Sequence, residues 1–388
     1  MNIIPYGKQH ISEQDIDAVV NTLKSDFLTQ GPKVEEFEIK FAHYIGSKYA
    51  VAVANGTAAL HLSVLALGLE KGKKVITSPL TFVASANAVL YGGGEVDFCD
   101  IDPETLLLDI ELVREKLASS PKGTYCGIIP VDFAGAPVQM DAFRTLADEY
   151  GLWLLEDSCH APGGYFYDSL IHKQKCGNGS FADLAIFSFH PVKHIASGEG
   201  GMITTNNKEL YQKLLTLRSH GIVKEFDNSK EEKPGWYYEM QHLGFNYRLS
   251  DIACSLGISQ LKRINQNLEK RKEIAQRYDE AFANKKVTLP IFKNKITHAY
   301  HLYVIQIENR NGLYNYLKSK GVFAQVHYIP VHLHPFYNKL GFNEGDYPNV
   351  ESYYKKCLSL PIFPELKIKE VDYVISQILS FLNNNNIK

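Results

Sequence analysis

The sequence predicts an α/β protein with two domains, a large domain built on a mostly parallel seven-stranded sheet and a smaller C-terminal α+β domain. Short β-branched runs alternate with helical patterns over the first two-thirds of the chain, which is typical of a parallel sheet covered on both faces. From residue 249 the pattern changes to a long charged stretch with a helical period. The chain has 388 residues, enough for two domains. We therefore expect domains over residues 1–248 and 249–388.

Seven runs are predicted as sheet strands, and helical patterns at 58–67, 82–91 and 141–150 lie between some of them. The strand runs are residues 48–53, 74–77, 96–99, 127–131, 152–156, 184–189 and 202–205. In the small domain we expect a long helix over 249–283, strands at 301–307 and 324–328, and helices at 313–318 and 371–382.

Composition and charge exclude several classes of protein. The formal net charge is -2 and no run of basic residues stands out, so a nucleic-acid partner is not expected. No apolar stretch approaches the roughly 18 residues that a membrane span needs. The six cysteines are scattered without a C-x-x-C pair, which argues against a zinc ribbon and fits a reducing cytoplasm. These observations favour a cytoplasmic enzyme or binding protein.

Three turns that follow predicted strands carry the residues of chemical interest. They are Asn55-Gly56-Thr57, the turn from Asp157 to His160, and the glycine-rich stretch from Ser188 to Gly201 that contains Lys193. Ligands of open α/β sheets lie beyond the carboxyl ends of the strands, so the three turns are expected to meet at one place. The first turn puts a threonine and backbone N–H groups at a helix N-terminus, which suits a phosphate.

A phosphate cradle, a carboxylate and a lysine together suit pyridoxal phosphate. A desolvated lysine can lose its proton and form a Schiff base. A carboxylate that faces a pyridine nitrogen keeps that nitrogen protonated, so the ring can take up electrons. Each feature alone has an ordinary explanation: Lys193 as a solvated surface residue, Asp157 as a helix cap, and Gly56-Thr57 as a plain turn. Their order on successive strand ends favours the cofactor.

Eight motifs, in this order along nearly the whole chain, are similar to one known family. They are FLTQGP (27–32) with Phe37-Glu38, NGTAAL (55–60), TFVA (81–84), EDSCHA (156–161), SFHPVK (188–193), GEGG (198–201), RSHG (218–221) and GFNYRL (244–249). By these motifs the sequence resembles the DegT/DnrJ/EryC1/StrS family of sugar-nucleotide aminotransferases. One departure is Ser158-Cys159, where small apolar residues are common.

The resemblance implies the fold of the type I pyridoxal-phosphate-dependent transferases, which is like that of aspartate aminotransferase. It implies that Lys193 bonds to the cofactor and carries protons, and that Asp157 pairs with the pyridine nitrogen. His160 then approaches the 3-hydroxyl and Phe82 packs on the ring. The phosphate is held by Thr57, Ala58 and Ser188, together with Asn246 of the neighbouring subunit, so a homodimer with shared active sites is expected.

Four stretches are similar to those of family members that transfer the amino group of L-glutamate to the C4 ketone of a UDP-linked 2-acetamido-2,6-dideoxy-hexos-4-ulose. They are IPYGKQ (4–9), LKSDFLTQGP (23–32), RSHGI (218–222) and AQVHYIP (324–330). This likeness implies a sugar-nucleotide pocket lined by Tyr6, Asp26, Phe27, Leu28, Thr29, Gly56, His327, Tyr328, Ile329 and Pro330. Relatives that act on other nucleotide-linked keto sugars share most of these stretches. Arg218 and Arg248 are candidates for binding the donor carboxylate, and either could instead form a structural ion pair.

Four other functions fit the sequence less well. Some family members are sugar 3-dehydratases with histidine in place of the lysine, whereas this chain has Lys193 beside His194. A metal-dependent enzyme would use three of the histidines at 298, 301, 327, 332 and 334, although cysteine and carboxylate partners at metal spacing are missing, so no metal site is expected. A regulator on the same fold usually has an added helix-turn-helix domain or lacks the lysine. A nicotinamide-dependent oxidoreductase is disfavoured because no G-x-G-x-x-G follows the first strand.

Overall fold

The computed structural model describes residues 3–223, 234–293 and 295–384. Its strands are β1 (Ile4–Pro5), β2 (Tyr49–Val53), β3 (Lys74–Thr77), β4 (Glu95–Phe98), β5 (Tyr125–Ile129), β6 (Trp153–Asp157), β7 (Tyr165–Tyr167), β8 (Lys173–Lys175), β9 (Leu184–Ser188), β10 (Gly201–Thr205), β11 (Ile222–Val223), β12 (Glu239–Met240), β13 (Ile296–Thr297), β14 (Tyr303–Gln306), β15 (Val322–Phe323) and β16 (Cys357–Leu360). Its α-helices are α1 (Glu13–Leu23), α2 (Pro32–Ile45), α3 (Gly56–Ala66), α4 (Val83–Tyr91), α5 (Ile110–Ser119), α6 (Met140–Tyr150), α7 (Lys208–Arg218), α8 (Asp251–Leu261), α9 (Ile264–Phe282), α10 (Arg310–Ser319), α11 (Pro335–Asn338), α12 (Pro348–Lys356) and α13 (Ile368–Asn384).

A seven-stranded sheet with the order β2-β10-β9-β6-β5-β3-β4 forms the centre of the molecule. All neighbouring pairs from β9 to β4 are parallel, whereas β10 runs antiparallel to both β2 and β9. Six strands therefore run in one direction, and the prediction of a mostly parallel seven-stranded sheet is confirmed. The carboxyl ends of β2, β6 and β9 lie at the same edge, which explains why the three turns meet there.

Helices cover both faces of this sheet because its strands are apolar on both sides. Side chains alternate along β2, so Val51 and Val53 join a core cluster with α3, α4 and α7, while Ala50 and Ala52 join a cluster with α2 and α8. The aromatic rings of Phe37 and Phe41 from α2 pack against Phe187 and Phe189 in the second cluster.

The C-terminal part has a core of its own around the antiparallel pair of β14 and β16. Buried apolar residues of α9, α10 and α13, among them Ile274, Leu317 and Val374, pack on this pair. Helix α8 lies elsewhere, since Cys254 and Ile258 pack in the same cluster as α2. The domain division at residues 248 and 249 stays a prediction. No helix among the described residues is long and apolar enough to span a bilayer.

Two predictions of secondary structure are wrong. The expected helix over 249–283 is two helices, because Arg263 leaves helical geometry and its guanidinium forms an ion pair with buried Asp15 of α1. The expected strand at 324–328 is also absent. Strand β15 ends at Phe323 and pairs with β1, and beyond it only Gln325 forms a bridge, with Ser359. Two of the residues that follow, His327 and Tyr328, leave the ladder and line a cavity beside the large sheet.

Candidate active site

A cavity of about 480 Å³ opens at the carboxyl ends of β2, β6 and β9. It contains residues from all three turns, from the start of α4 and from the C-terminal part of the chain. Those used below are Tyr6, Gly56, Thr57, Phe82, Ser85, Asp157, Cys159, His160, Ser188, Lys193, His301, His327 and Tyr328. The fold thus brings together the lysine, the carboxylate and the helix N-terminus that the sequence singled out.

The N-terminus of α3 forms one wall of the cavity. Asn55 has an extended backbone and caps the helix, and its side-chain oxygen accepts the Ala58 N–H at 2.8 Å. Gly56 permits the close approach of β9, since a Cβ added there would lie 3.1 Å from the Ser188 Cβ. Two hydroxyl-bearing residues, Thr57 and Ser188, therefore stand beside a helix N-terminus that attracts anions. Ala58 is buried and already uses its N–H for the cap.

The Asp157 carboxylate is held at the end of β6 by two donors. Asp157 is only 5% exposed, its Oδ2 accepts the Ser85 hydroxyl at 2.6 Å, and its Oδ1 accepts the Cys159 N–H at 3.2 Å. Ser85 is in turn hydrogen-bonded to the Thr81 hydroxyl at 2.8 Å. This chain of hydroxyls fixes the direction of the carboxylate, as a partner for a ring nitrogen requires. Ser85 was not among the predicted site residues, although its i, i+4 spacing from Thr81 at a helix start was a signal that could have indicated it.

Replacing Ser85 with alanine should slow turnover about 10-fold and lower the free energy of unfolding by about 1 kcal/mol, because a buried carboxylate loses a short hydrogen bond. Steady-state kinetics and urea unfolding measure the two effects. Ser85→Thr keeps the hydroxyl and should retain more activity than Ser85→Ala. Ser180→Ala is the control, since Ser180 is exposed and does not line the cavity. Wild-type kinetics in Ser85→Ala would show that Asp157 needs no support from this hydroxyl.

His160 is a neutral side chain with its proton on Nε2. Its Nδ1 accepts the Ala134 N–H at 3.2 Å, which leaves Nε2 as the nitrogen that carries hydrogen. Burial, followed by the charge of Lys193, lowers the pKa of His160 well below its usual value. Nε2 lies 3.3 Å from the Tyr328 hydroxyl and lines the cavity, where it can donate to an oxygen of a ligand.

Lys193 lies in the loop after β9, and its side chain lines the cavity. Burial lowers the pKa of its ammonium, while the nearby Cys159 and Asp157 oppose that shift. A lowered pKa increases the fraction of neutral amine, which is the nucleophilic form. The Nζ atom is 3.5 Å from the Nε2 of His301, which comes from the C-terminal part of the chain.

Two buried carboxyl groups, those of Asp132 and Glu156, lie beside the Asp157 turn and contact Ser158. The Ser158 hydroxyl lies 2.8 Å from Oδ2 of Asp132 and 3.0 Å from Oε1 of Glu156. Burial raises the pKa of Asp132 to about 6, and burial and the charge of Asp132 raise the pKa of Glu156 well above its usual value. Cys176 lies close to the pair, and the three are the only group of metal-type ligands within 4.8 Å of one another among the described residues.

This buried pair predicts a pH-dependent contribution to stability. Carboxyls of the unfolded chain release their protons near pH 4, whereas the folded pair keeps its protons to about pH 6 and above. The stabilisation from the protonated pair is therefore full below about pH 4 and is lost as the pH rises through and beyond 6. Glu156→Gln resembles the protonated acid. The free energy of unfolding of Glu156→Gln minus that of wild type should therefore be larger at pH 8 than at pH 5, by on the order of 2 kcal/mol.

Urea unfolding of both proteins at pH 5, 6.5 and 8 measures this difference. Glu115→Gln, at an exposed position of α5, is the matched control and should parallel wild type. Parallel pH profiles for wild type and Glu156→Gln would show that the pair is not protonated in the fold.

The other sequence-predicted residues divide into two groups. Tyr6, Gly56, Phe82, His327 and Tyr328 line the cavity. Phe82 is 58% exposed, which leaves a ring face available to a ligand, and the Tyr6 ring centroid lies 5.3 Å from that of His327. The second group does not line the cavity of the single chain, within the part that the structure describes. It consists of Asp26, Phe27, Leu28, Thr29, Asn246, Ile329 and Pro330. The Arg218 guanidinium pairs with Glu38 at 2.5 Å, which makes it a structural ion pair.

The five histidines of the metal hypothesis do not form a three-ligand group within the described ranges. His332 pairs with Glu351 at 3.0 Å, while His327 bonds to the Ser359 hydroxyl at 2.9 Å. His298 accepts the Tyr300 N–H at 2.8 Å. These partners are those of ordinary polar core and loop residues.

The donor set of the cavity fits pyridoxal phosphate. It offers a helix N-terminus with two hydroxyls for a phosphate, a buried carboxylate for a ring nitrogen, an Nε2–H donor for a phenolic oxygen and an amine of lowered pKa for an aldehyde. The Gly56 position leaves space beside Ser188 that a Cβ would fill.

Comparison with known proteins agrees with this chemistry. Residues 9–379 match the model of the DegT/DnrJ/EryC1/StrS aminotransferase family. The chain is 41% identical to a UDP-4-amino-4,6-dideoxy-N-acetyl-beta-L-altrosamine transaminase of Campylobacter jejuni, over 98% of each chain. It is 39% identical to the spore coat polysaccharide biosynthesis protein SpsC of Bacillus subtilis, over 97% of this chain and 96% of SpsC.

Two solved structures are similar over nearly the whole fold. Helicobacter pylori PseC, an aminotransferase involved in pseudaminic acid biosynthesis, superposes with a TM-score of 0.88 at 30% identity, covering 99% of this chain and 100% of PseC. The PLP form of the putative sugar aminotransferase Spr1654 from Streptococcus pneumoniae gives a TM-score of 0.88 at 28% identity, covering 98% and 99% of the two chains. The predicted type I transferase fold and the predicted cofactor are confirmed. The chain belongs to the DegT/DnrJ/EryC1/StrS aminotransferase family and is a pyridoxal-phosphate-dependent sugar aminotransferase.

Proposed function

We propose that this enzyme transfers the amino group of L-glutamate to the C4 ketone of a UDP-linked 2-acetamido-2,6-dideoxy-hexos-4-ulose. The product is UDP-4-amino-4,6-dideoxy-N-acetyl-β-L-altrosamine, an intermediate of pseudaminic acid biosynthesis, and the reaction takes place in the cytoplasm. The observation that carries the amino transfer is the convergence of Lys193, Asp157 and the α3 N-terminus in one cavity. The choice of sugar is supported by two relatives of this name, 41% and 39% identical to the chain.

The chain's own residues supply binding and proton transfer. Thr57 and Ser188 bind the cofactor phosphate, and Asp157 keeps the ring nitrogen protonated. Pyridoxal phosphate, when bound, supplies an aldehyde that accepts the amino group and a ring that takes up the electrons of the broken C–H bond. The amino group of glutamate would displace Lys193 from the cofactor, and the freed Nζ would accept the proton that leaves the α-carbon and pass it to the cofactor. Water would then release the carbon skeleton as 2-oxoglutarate and leave the amino group on the cofactor. In the second half-reaction Lys193 delivers a proton to C4 of the sugar.

Tyr6, His327 and Tyr328 stand where a sugar would face Lys193, and we propose that they bind it together with Gly56. Tyr6 and Tyr328 offer hydroxyls, and burial raises the pKa of both phenols, so they act as neutral donors and acceptors. The turn from Asp26 to Thr29 and the loop residues Ile329 and Pro330 complete the nucleotide part of the pocket in this proposal.

The proposed working unit is a homodimer with shared active sites. Large apolar side chains are exposed on the segment just before Asn246: Trp236 at 77%, Met240 at 66% and Leu243 at 81%. A second copy of the chain would cover this surface and bring Asn246 to the phosphate of the neighbouring subunit. Sedimentation of the purified protein and loss of cofactor affinity in Asn246→Ala test this arrangement.

The decisive experiment is an assay of purified enzyme with L-glutamate and a panel of UDP-linked 4-keto-6-deoxy sugars, with mass spectrometry and NMR of the products. We expect the amine on C4 of the altrosamine precursor and the highest kcat/KM for that sugar. A preference for another sugar would establish the second candidate, an aminotransferase for a different nucleotide-linked keto sugar. That second candidate is supported by the similarity to SpsC, a relative named for spore coat polysaccharide biosynthesis.

A further inference from the structure

A histidine that sequence analysis considered only as a possible metal ligand contacts the catalytic lysine. His301 precedes β14, is 5% exposed, and places its Nε2 3.5 Å from Lys193 Nζ. We propose that His301 is a positioning residue that accepts a hydrogen bond from Lys193, orients its amine and holds the transferred proton on Nζ between its departure from one carbon and its delivery to the next. This inference rests on the proposed proton-carrying role of Lys193.

The backbone around His301 is fixed by the segment that follows β5. The Ala299 N–H donates to Gly135 O at 2.8 Å, and the Leu302 N–H donates to Ala134 O at 3.1 Å. Gly135 is required for this close approach, since it has a φ of +103° and a Cβ there would lie 3.0 Å from the backbone nitrogen of His301. The histidine therefore meets Lys193 across the junction between the C-terminal part and the large sheet.

The ring of His301 is also fixed. The ring centroid lies 4.3 Å from that of His160 and 5.8 Å from that of His194. The backbone carbonyl oxygen of His301 accepts a hydrogen bond from the Arg271 guanidinium at 3.3 Å. Among the described residues, these three groups and Lys193 are the ones whose charges act most strongly on the ring. Within the described ranges, the buried Nδ1 has no hydrogen-bond partner, so Nε2 is the nitrogen through which the ring makes its polar contact.

The charge state suits an acceptor better than a base. Burial, then the charges of Lys193 and the other histidines, lowers the pKa of His301 well below its usual value. A neutral imidazole can accept an N–H of the lysine ammonium, which otherwise sits desolvated in the cavity. Because the imidazole itself is hard to protonate, the proton stays on Nζ until it is delivered to the next carbon and does not move on to the histidine.

The test compares two substitutions that separate hydrogen bonding from ring packing. His301→Phe keeps an aromatic ring beside His160 but has no acceptor, whereas His301→Gln keeps an acceptor oxygen. We expect His301→Phe to slow the first half-reaction with glutamate roughly 10- to 100-fold with little change in KM, and His301→Gln to retain most of the rate. His172→Gln, on a side chain that is 68% exposed, is the control.

A second readout does not depend on turnover. The pH midpoint of the absorbance of the lysine-bound cofactor should fall by about one pH unit in His301→Phe, because the protonated nitrogen loses its acceptor, and should stay near wild type in His301→Gln. Equal losses of rate in both variants with an unchanged midpoint would assign His301 a structural role and overturn the proposal, as would wild-type behaviour of His301→Phe. Wild-type enzyme that fails to react with glutamate would instead contradict the proposed function, and the midpoint would still test His301.

Discussion

Replacing Lys193 with alanine should abolish amino transfer, with a loss of roughly 10⁴-fold or more, because one side chain supplies both the covalent link to the cofactor and the proton carrier. The cavity contains no second lysine among its lining residues, within the part of the chain that the structure describes. The neighbouring histidines are neutral, since burial lowers the pKa of His160 and His301 well below the usual value. Neither can form the bond that the amine forms. Single-turnover kinetics with glutamate measure the loss.

The same variant should lose the visible absorbance of the lysine-bound cofactor while the phosphate cradle at α3 still binds the free cofactor. A small primary amine added to the solution should restore part of the proton transfer, because it can occupy the space that the side chain left. Lys173→Ala is the matched control, since Lys173 is exposed on β8. Full activity in Lys193→Ala would refute the assignment of this lysine.

Much of the sheet could be predicted from the sequence because its strands are buried on both faces and read as continuous apolar runs. The position of the cavity could be predicted as well, because parallel strands bring their carboxyl ends to one edge of the sheet. The apolar runs at β2 and β9 and the turns after them indicated that edge. The prediction was wrong at 324–328, where an equally β-like pattern leaves the ladder after one bridge at Gln325. There the tertiary contacts of His327 and Tyr328 outweigh local propensity.

The contributions of distant segments to the site could not be predicted from local patterns. Ser85 supports Asp157 from 72 residues away, and His301 reaches Lys193 across 108 residues. Neither pair has a spacing that a periodicity can reveal, because their separation depends on how α4 and the C-terminal part pack on the sheet. Cys159 was noted only as a departure from the family pattern, yet its N–H is one of the two donors to Asp157.

Replacing Asp157 with alanine should leave cofactor binding largely intact and slow proton transfer roughly 10²- to 10⁴-fold. The phosphate cradle and Lys193 retain the cofactor, but no carboxylate then keeps the ring nitrogen protonated, so the ring takes up electrons poorly. Both half-reactions break a C–H bond beside the forming or departing amine, and both should slow together. The exchange of the glutamate α-proton with deuterium from solvent, followed by NMR, measures the step directly.

Asp157→Asn separates charge from shape. The amide can still accept the Ser85 hydroxyl that now lies 2.6 Å from Oδ2, so the fold around β6 should be unchanged, yet a neutral amide cannot hold a pyridinium as a carboxylate does. We therefore expect Asp157→Asn to be nearly as slow as Asp157→Ala but closer to wild type in thermal stability. If Asp157→Asn exchanged the α-proton at the wild-type rate, the carboxylate would be a structural group at the end of β6, and the electron-accepting state of the ring would have to depend on another residue of the cavity.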